Sequence, residues 1–103
     1  MVKVSVLYPN DEVKKFDMNY YLDTHMPLVK KLLSDACTNI TVDEGIAGAT
    51  PGSKAPYIAI GHLHFNSVED FISSFTPNAN AIMNDLPNFT DIAPVVPINE
   101  IKM

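Results

Sequence analysis

The sequence predicts an α+β fold of the ferredoxin-like βαββαβ type, a four-stranded antiparallel sheet with two helices on one face. Three observations carry this. Period-two and helical-period segments alternate in the order β-α-β-β-α-β, the split βαβ pattern. At 103 residues the chain has room for one domain, residues 1–103, and not for two. The third strand is apolar on both sides, as in a sheet covered on both faces, yet no element is left over to supply the second cover. A second copy of the chain is therefore expected to supply it, and the sequence predicts a homodimer.

The elements follow in order. Val2, Val4 and Val6 alternate with Lys3, Ser5 and Leu7 as strand one, closed by Tyr8-Pro9-Asn10. A charged loop, Asp11 to Lys15, leads to Asp17, the expected N-cap of the first helix. That helix carries an apolar stripe at Met18, Tyr21, Leu22, His25, Val29, Leu32 and Leu33. Pro27 interrupts it, because proline lacks an N–H and its ring crowds the carbonyl four residues back, so a kink or a restart is expected beside His25. Asn39 to Asp43 reads as strand two, and Gly45 to Pro56, with three glycines and two prolines, as a mobile hairpin loop. Tyr57 to Phe65 is strand three, with Ile58 and Ile60 on one side and Ala59, Leu63 and Phe65 on the other. Asn66 or Ser67 caps a second helix with Glu69 and Asp70 three residues on. Its stripe is Val68, Phe71, Ile72, Phe75, Ala79, Ile82, Met83 and Leu86, broken and restarted at Pro77. Asp91 to Lys102 closes as strand four, confined by Pro94 and Pro97 to an edge or a bulge.

Composition excludes several classes. The chain is 47% hydrophobic and 18% charged, which supports a packed core and argues against disorder. Twelve acidic residues against seven basic ones leave a net charge of −5, against a nucleic-acid partner. All seven basic residues are lysines, so the bidentate guanidinium fork that grips phosphates and carboxylates is missing. Cys37 is the lone cysteine and cannot form an internal disulfide. No apolar run approaches the roughly 18 residues of a membrane span, and the N-terminal alternation is too short and regular for a signal peptide. A cytoplasmic protein with no membrane partner is the expectation.

Among residues that carry chemistry, His25 comes first. Imidazole titrates near neutrality and serves as general base or acid. It lies on the inward face of a helix, one turn after Tyr21, whose phenol can orient it or donate a proton. The plain reading is a core histidine donating to a carbonyl. His62 and His64 share one side of strand three. They are read as the second half of the same pocket, or as a network residue and an interface residue. Two imidazoles fall short of the three or four ligands that zinc takes, so no metal is expected. Ser5, Tyr8 and Tyr57 can add hydroxyls to an apolar cavity, with Tyr8 the contact taken forward. Cys37 reads as a small buried hydrophobe, and Asp43-Glu44 as the start of a solvated loop. Glycine-rich phosphate loops, serine elbows and Cys-x-x-Cys are absent.

Phe16-Asp17-Met18-Asn19-Tyr20-Tyr21-Leu22-Asp23-Thr24-His25-Met26-Pro27-Leu28-Val29 resembles the signature of the EthD family, named from ethyl tert-butyl ether degradation. Val2 to Pro9, Ala55 to Phe65 and Asp85-Leu86-Pro87-Asn88-Phe89-Thr90-Asp91 resemble it more loosely, so the likeness covers nearly the whole chain. It implies a dimeric α/β barrel, two ferredoxin-like sheets packed on each other. The wider superfamily includes cofactor-free monooxygenases, polyketide cyclases, muconolactone isomerases and haem-degrading enzymes. The EthD group accompanies a cytochrome-dependent ether-degradation system in some bacteria. The residue carried over is His25, with Tyr21 beside it; His62 and His64 match no family motif.

Two functions follow as expectations. One is an enzyme without metal or organic cofactor that binds a small, mostly apolar carbonyl- or phenol-bearing molecule. In it His25 and Tyr21 move a proton in an isomerisation, cyclisation or oxygenation. The other is a non-catalytic carrier of a hydrophobic small molecule or an accessory to a partner oxidoreductase. Haem held by His25 is disfavoured, because no arginine is present to meet the propionates.

Overall fold

The computed structural model describes residues 1–103. Four strands, β1 (Val2–Pro9), β2 (Cys37–Glu44), β3 (Tyr57–Phe65) and β4 (Ile98–Glu100), form one sheet in the order β2-β3-β1-β4. Every pairing is antiparallel. Between β1 and β2 run α1 (Met18–Tyr20), a π-helical turn (Tyr21–His25) and α2 (Met26–Leu33). Between β3 and β4 run α3 (Val68–Phe75), a 3₁₀ turn at Thr76–Asn78 and α4 (Ala79–Asp85). This is the predicted βαββαβ arrangement.

Register sorts the side chains. Val2, Val4, Val6 and Tyr8 of β1 stand opposite Phe65, Leu63, Gly61 and Ala59 of β3, and Ile40 and Val42 of β2 continue these rows. This face meets the helices. Its core falls into two clusters: Val2, Val4, Leu63 and Phe65 with Val29, Leu33 and Ile82, and Tyr8 and Ala59 with Tyr21, Phe89 and Ile92. The opposite face carries Lys3, Ser5, Leu7, Thr41, Asp43, Ile60, His62 and His64, and no helix lies on it. The two-sided apolarity of strand three is therefore real, with one side left open in a single copy.

Local chemistry explains the boundaries. The Asp17 carboxylate accepts from the Tyr20 N–H at 3.1 Å, and Ser67 Oγ from the Asp70 N–H at 3.1 Å, each satisfying an N–H with no helical partner. Pro27 does not kink a running helix. It occupies the first turn of α2, where its missing N–H costs nothing, and the irregularity comes earlier, as the π-turn in which the Met26 N–H reaches back to the Tyr21 carbonyl. The wider turn corrects the expected stripe: Tyr21 and His25 stay inward, whereas Leu22 is 45% exposed. Pro77 likewise sits in the 3₁₀ turn that joins α3 to α4.

Strand four is shorter than the Asp91 to Lys102 expected, with regular pairing only at Ile98–Glu100. The prolines are the reason. Of the two N–H groups between them only that of Val95 joins the ladder, and Val95 exchanges two bonds with Leu7, at 2.9 and 2.8 Å. Pro97 can only accept, from the Ser5 N–H at 3.1 Å. Strand two begins two residues earlier than expected, at Cys37, where the register shifts before Asn39. Phe65, fully buried between β1, β2 and α3, is the anchor of the larger cluster. Phe65→Ala is expected to lower unfolding free energy by about 3–5 kcal/mol in urea titrations; a loss below about 1 kcal/mol would mean the cluster collapses around the gap.

Candidate functional site

The site begins with the π-turn. Because Tyr21 and His25 are four residues apart on it, both side chains reach the sheet face, their rings nearly parallel with centroids 5.8 Å apart. Phe89, from the segment after α4, closes on the imidazole at 4.6 Å. His25 is 3% exposed. Its Nδ1 lies 2.9 Å from Asp85 Oδ2 at the end of α4. Asp85 Oδ1 accepts from the Tyr20 hydroxyl at 2.7 Å and from Asn88 Nδ2 at 2.9 Å. A carboxylate at a helix C-terminus opposes the helix dipole, so these three donors are what make the position tenable.

The electrostatics give each member a state. Burial lowers the pKa of His25, and Asp85 only partly offsets it. For Asp85, burial pushes the pKa upward, but the bonds from Asn88, Tyr20 and His25 outweigh it and leave the carboxyl below its ordinary range. The pair is thus a neutral imidazole on an ionised carboxylate. Such a carboxylate only accepts, so Nδ1 carries the proton and Nε2 keeps its lone pair. No protein group bonds to Nε2.

His25 lines a cavity of about 250 Å³ between sheet and helices, where the two core clusters fail to meet. Fourteen of its seventeen lining residues are hydrophobic, so what it accepts must itself be mostly apolar. Tyr8 and Tyr21 line it too, as does Gly61. A cavity of about 150 Å³ is enough to take up benzene, so this one has room for a substituted ring or a branched chain of similar bulk.

Of the five residues singled out in the sequence, His25, Tyr21 and Tyr8 come together at this cavity. His62 and His64 do not, which corrects the expectation of a shared pocket: both are even-numbered positions of β3, and the strand pleat turns them to the open face. There His62 Nε2 bonds Asp43 at 2.9 Å and its Nδ1 bonds Ser5 Oγ at 3.1 Å, a polar tie across three strands. Asp43 is therefore part of β2 and of this network, rather than the start of a loop. His64 Nδ1 is buried without a partner. Cys37 is half-buried against the larger cluster, its thiol pushed up by burial. No three His, Cys, Asp or Glu side chains approach closely enough to hold a metal ion, and no helix is long and apolar enough to cross a membrane. Asp85 and Gly61 were missed. Their signals were a conspicuous acidic residue in the family-like Asp85 to Asp91 stretch and a glycine inside a central strand.

Comparison with known proteins places the chain. The EthD domain model matches residues 12–93. An EthD-like protein from Ralstonia eutropha is 40% identical, with a TM-score of 0.92 over 96% of this chain and 89% of its own. An ethyl tert-butyl ether (EthD) family protein from Bacillus halodurans is 22% identical, with a TM-score of 0.76 over 99% of both chains. A protein from Bacteroides fragilis, described as dimeric, of unknown function and of ferredoxin-like fold, is 12% identical, with a TM-score of 0.54 over 97% of this chain and 94% of its own. No curated protein matches. The chain belongs to the EthD family.

The dyad sets a pH dependence. The folded-state pKa of His25 lies below its ordinary value of 6.5, so its contribution to stability is complete above 6.5 and is lost as pH falls. Asp85, lowered from 3.8, likewise contributes above that value and loses its contribution on acidification. Nitrogen-resolved NMR is expected to show His25 neutral and protonated on Nδ1, with a midpoint under 6.5 that drops further in Asp85→Asn. A midpoint above 6.5 would contradict the buried-dyad account.

Proposed function

We propose that this EthD-family chain binds a small, uncharged, mostly apolar organic molecule bearing an oxygen, and that His25 moves a proton on it. One observation carries the reading: the far nitrogen of a neutral imidazole is unclaimed at the wall of an apolar cavity while an ionised carboxylate holds the near one. That is the arrangement of a general base, oriented by Asp85 and compensated by it once the imidazole takes the proton. No lysine lines the cavity, and an anionic ligand would lose its hydration there without a counter-charge, which favours a neutral one. The substance after which the relatives' family is named, ethyl tert-butyl ether, has the size and polarity such a cavity accepts, which supports a role in the breakdown of small organic compounds. Isomerisation and cyclisation need only proton movement and suit the groups present.

A second reading, a carrier that delivers such a molecule to a partner oxidoreductase, is favoured by how little of the cavity wall is polar. The two separate in deuterated water. With cyclohexanone as probe, the enzyme reading expects exchange of the α hydrogens, followed by proton NMR, to fall by roughly a hundred- to ten-thousand-fold in His25→Gln. Occupancy of the cavity without exchange above the buffer rate would favour the carrier and overturn catalysis.

We also propose that a second copy covers the open sheet face. Leu7 and Ile60 stand there opposite each other on β1 and β3, and an apolar sheet surface left in water is a liability for a chain this short. Sedimentation is expected to find dimers at micromolar concentration and folded monomers for Ile60→Asp. A monomeric wild-type protein would refute the assembly.

A further inference from the structure

The proton-transfer reading leaves two polar groups of the cavity unused, the hydroxyls of Tyr8 and Tyr21. Tyr8 comes from the end of β1 and Tyr21 from the π-turn. Their rings meet edge to face at 5.7 Å, both within the smaller core cluster. Neither phenol oxygen bonds to a protein group. Neither is sealed off, since the one fully buried polar side-chain atom without a partner is His64 Nδ1. Phenylalanine at both positions would pack the same cluster without bringing two unpaired donors to an apolar wall, so packing alone does not explain the hydroxyls.

The sheet is built around one of them. A Cβ at residue 61 would stand 2.6 Å from the Tyr21 hydroxyl oxygen. Phe16, Tyr8, Phe89 and His25 pack around the ring, so it could yield to such a Cβ only by moving its oxygen off the strand. Glycine in the middle of β3 is what lets this oxygen sit against the strand, beside the cavity that Gly61 also lines.

We propose that the Tyr8 and Tyr21 hydroxyls are paired donors to an oxyanion that develops on the ligand as His25 takes its proton, which makes the substrate an enolisable ketone. The inference rests on the proton-transfer reading above and deepens it. The step balances without an oxidant or a cofactor. His25 Nε2 takes a proton from the carbon beside the carbonyl, and the C–H electron pair becomes a carbon–carbon double bond. The carbonyl π pair moves to oxygen, where the two phenols donate to it. Where the ketone carries a β,γ double bond, the imidazolium, facing the Asp85 carboxylate, then returns the proton to the γ carbon of the dienolate as the oxygen's electron pair re-forms the carbonyl and the double bond moves to the α,β position, giving the conjugated isomer. Burial pushes both phenols far above their ordinary pKa, Tyr8 also through Tyr21, so both stay protonated and able to donate. Donors placed in advance where charge appears, in a site that excludes water, stabilise the transition state more than the ground state.

The probe is para-nitrophenol, a ring compound whose phenolate mimics the enolate and absorbs at a different wavelength from the phenol. At a pH where the free compound is mostly neutral, the wild-type protein is expected to bind it as the phenolate, its proton passed to His25 so that the imidazolium supplies the counter-charge and the pair stays neutral overall. Tyr8→Phe and Tyr21→Phe are each expected to lower phenolate affinity by roughly ten- to a hundredfold, with far smaller effects on toluene. Gly61→Ala, by displacing the Tyr21 oxygen, is expected to behave as Tyr21→Phe; if it fails to fold, the two phenylalanine variants still decide. Neutral binding with unchanged affinity in both variants would overturn the oxyanion pair and leave the pocket reading standing. No binding of any ring compound would overturn both.

Discussion

The hydrogen bond between His25 and Asp85 joins the two helical segments beside the cavity that His25 lines. It spans sixty residues of sequence and ties the π-turn of the first helical segment to the end of the second. Without the carboxylate, a buried imidazole would have no defined tautomer, and the nitrogen facing the cavity would bear the proton as readily as the one turned away. Without the imidazole, the carboxylate would lose one of three donors at a helix end whose dipole disfavours it. Tyr20 and Asn88 complete the arrangement, so a short run of residues on each helical segment serves mainly to hold one ring in one state.

The fold was legible because its signals are periodic. Alternation in β1 and β3 and the stripes of the two helical segments survive any detail of packing, and cap residues such as Asp17 and Ser67 act within three residues of themselves. What was not legible depended on through-space pairing. Pro27 announces an irregularity beside His25, but its spacing does not say whether the helix kinks at the ring or widens one turn earlier, as the π-turn does. The π-turn that results moves Leu22 outward, contrary to simple helical spacing. Strand four was overestimated because hydrophobicity persists through Pro94 and Pro97 while ladder donors do not.

Residue type and position single out His25, Tyr21 and Tyr8 as candidates, and the π-turn and the end of β1 bring all three to one cavity. His62 and His64 show the opposite case. Their chemistry is as versatile as that of His25, but a strand displays alternate residues on alternate faces, and parity alone places them away from the cavity. Asp85 could not be paired with His25 from sequence, because nothing local links residues so distant. The same holds for Gly61, whose role appears only when the Tyr21 oxygen is seen against the strand.

The two faces of the sheet therefore do different work with similar residues. On the helix side, polar groups are few, buried and left with free valences: one imidazole nitrogen and two phenol oxygens against hydrocarbon. On the open side, Asp43, His62 and Ser5 satisfy one another within a single chain. A network that closes on itself fixes strand register and asks for nothing further, whereas unpaired donors and acceptors at a cavity wall keep a standing cost that only a bound molecule can relieve. That asymmetry is what separates the reactive candidate His25 from His62, whereas His64, whose Nδ1 is buried without a partner, is set apart by the face of β3 on which it lies.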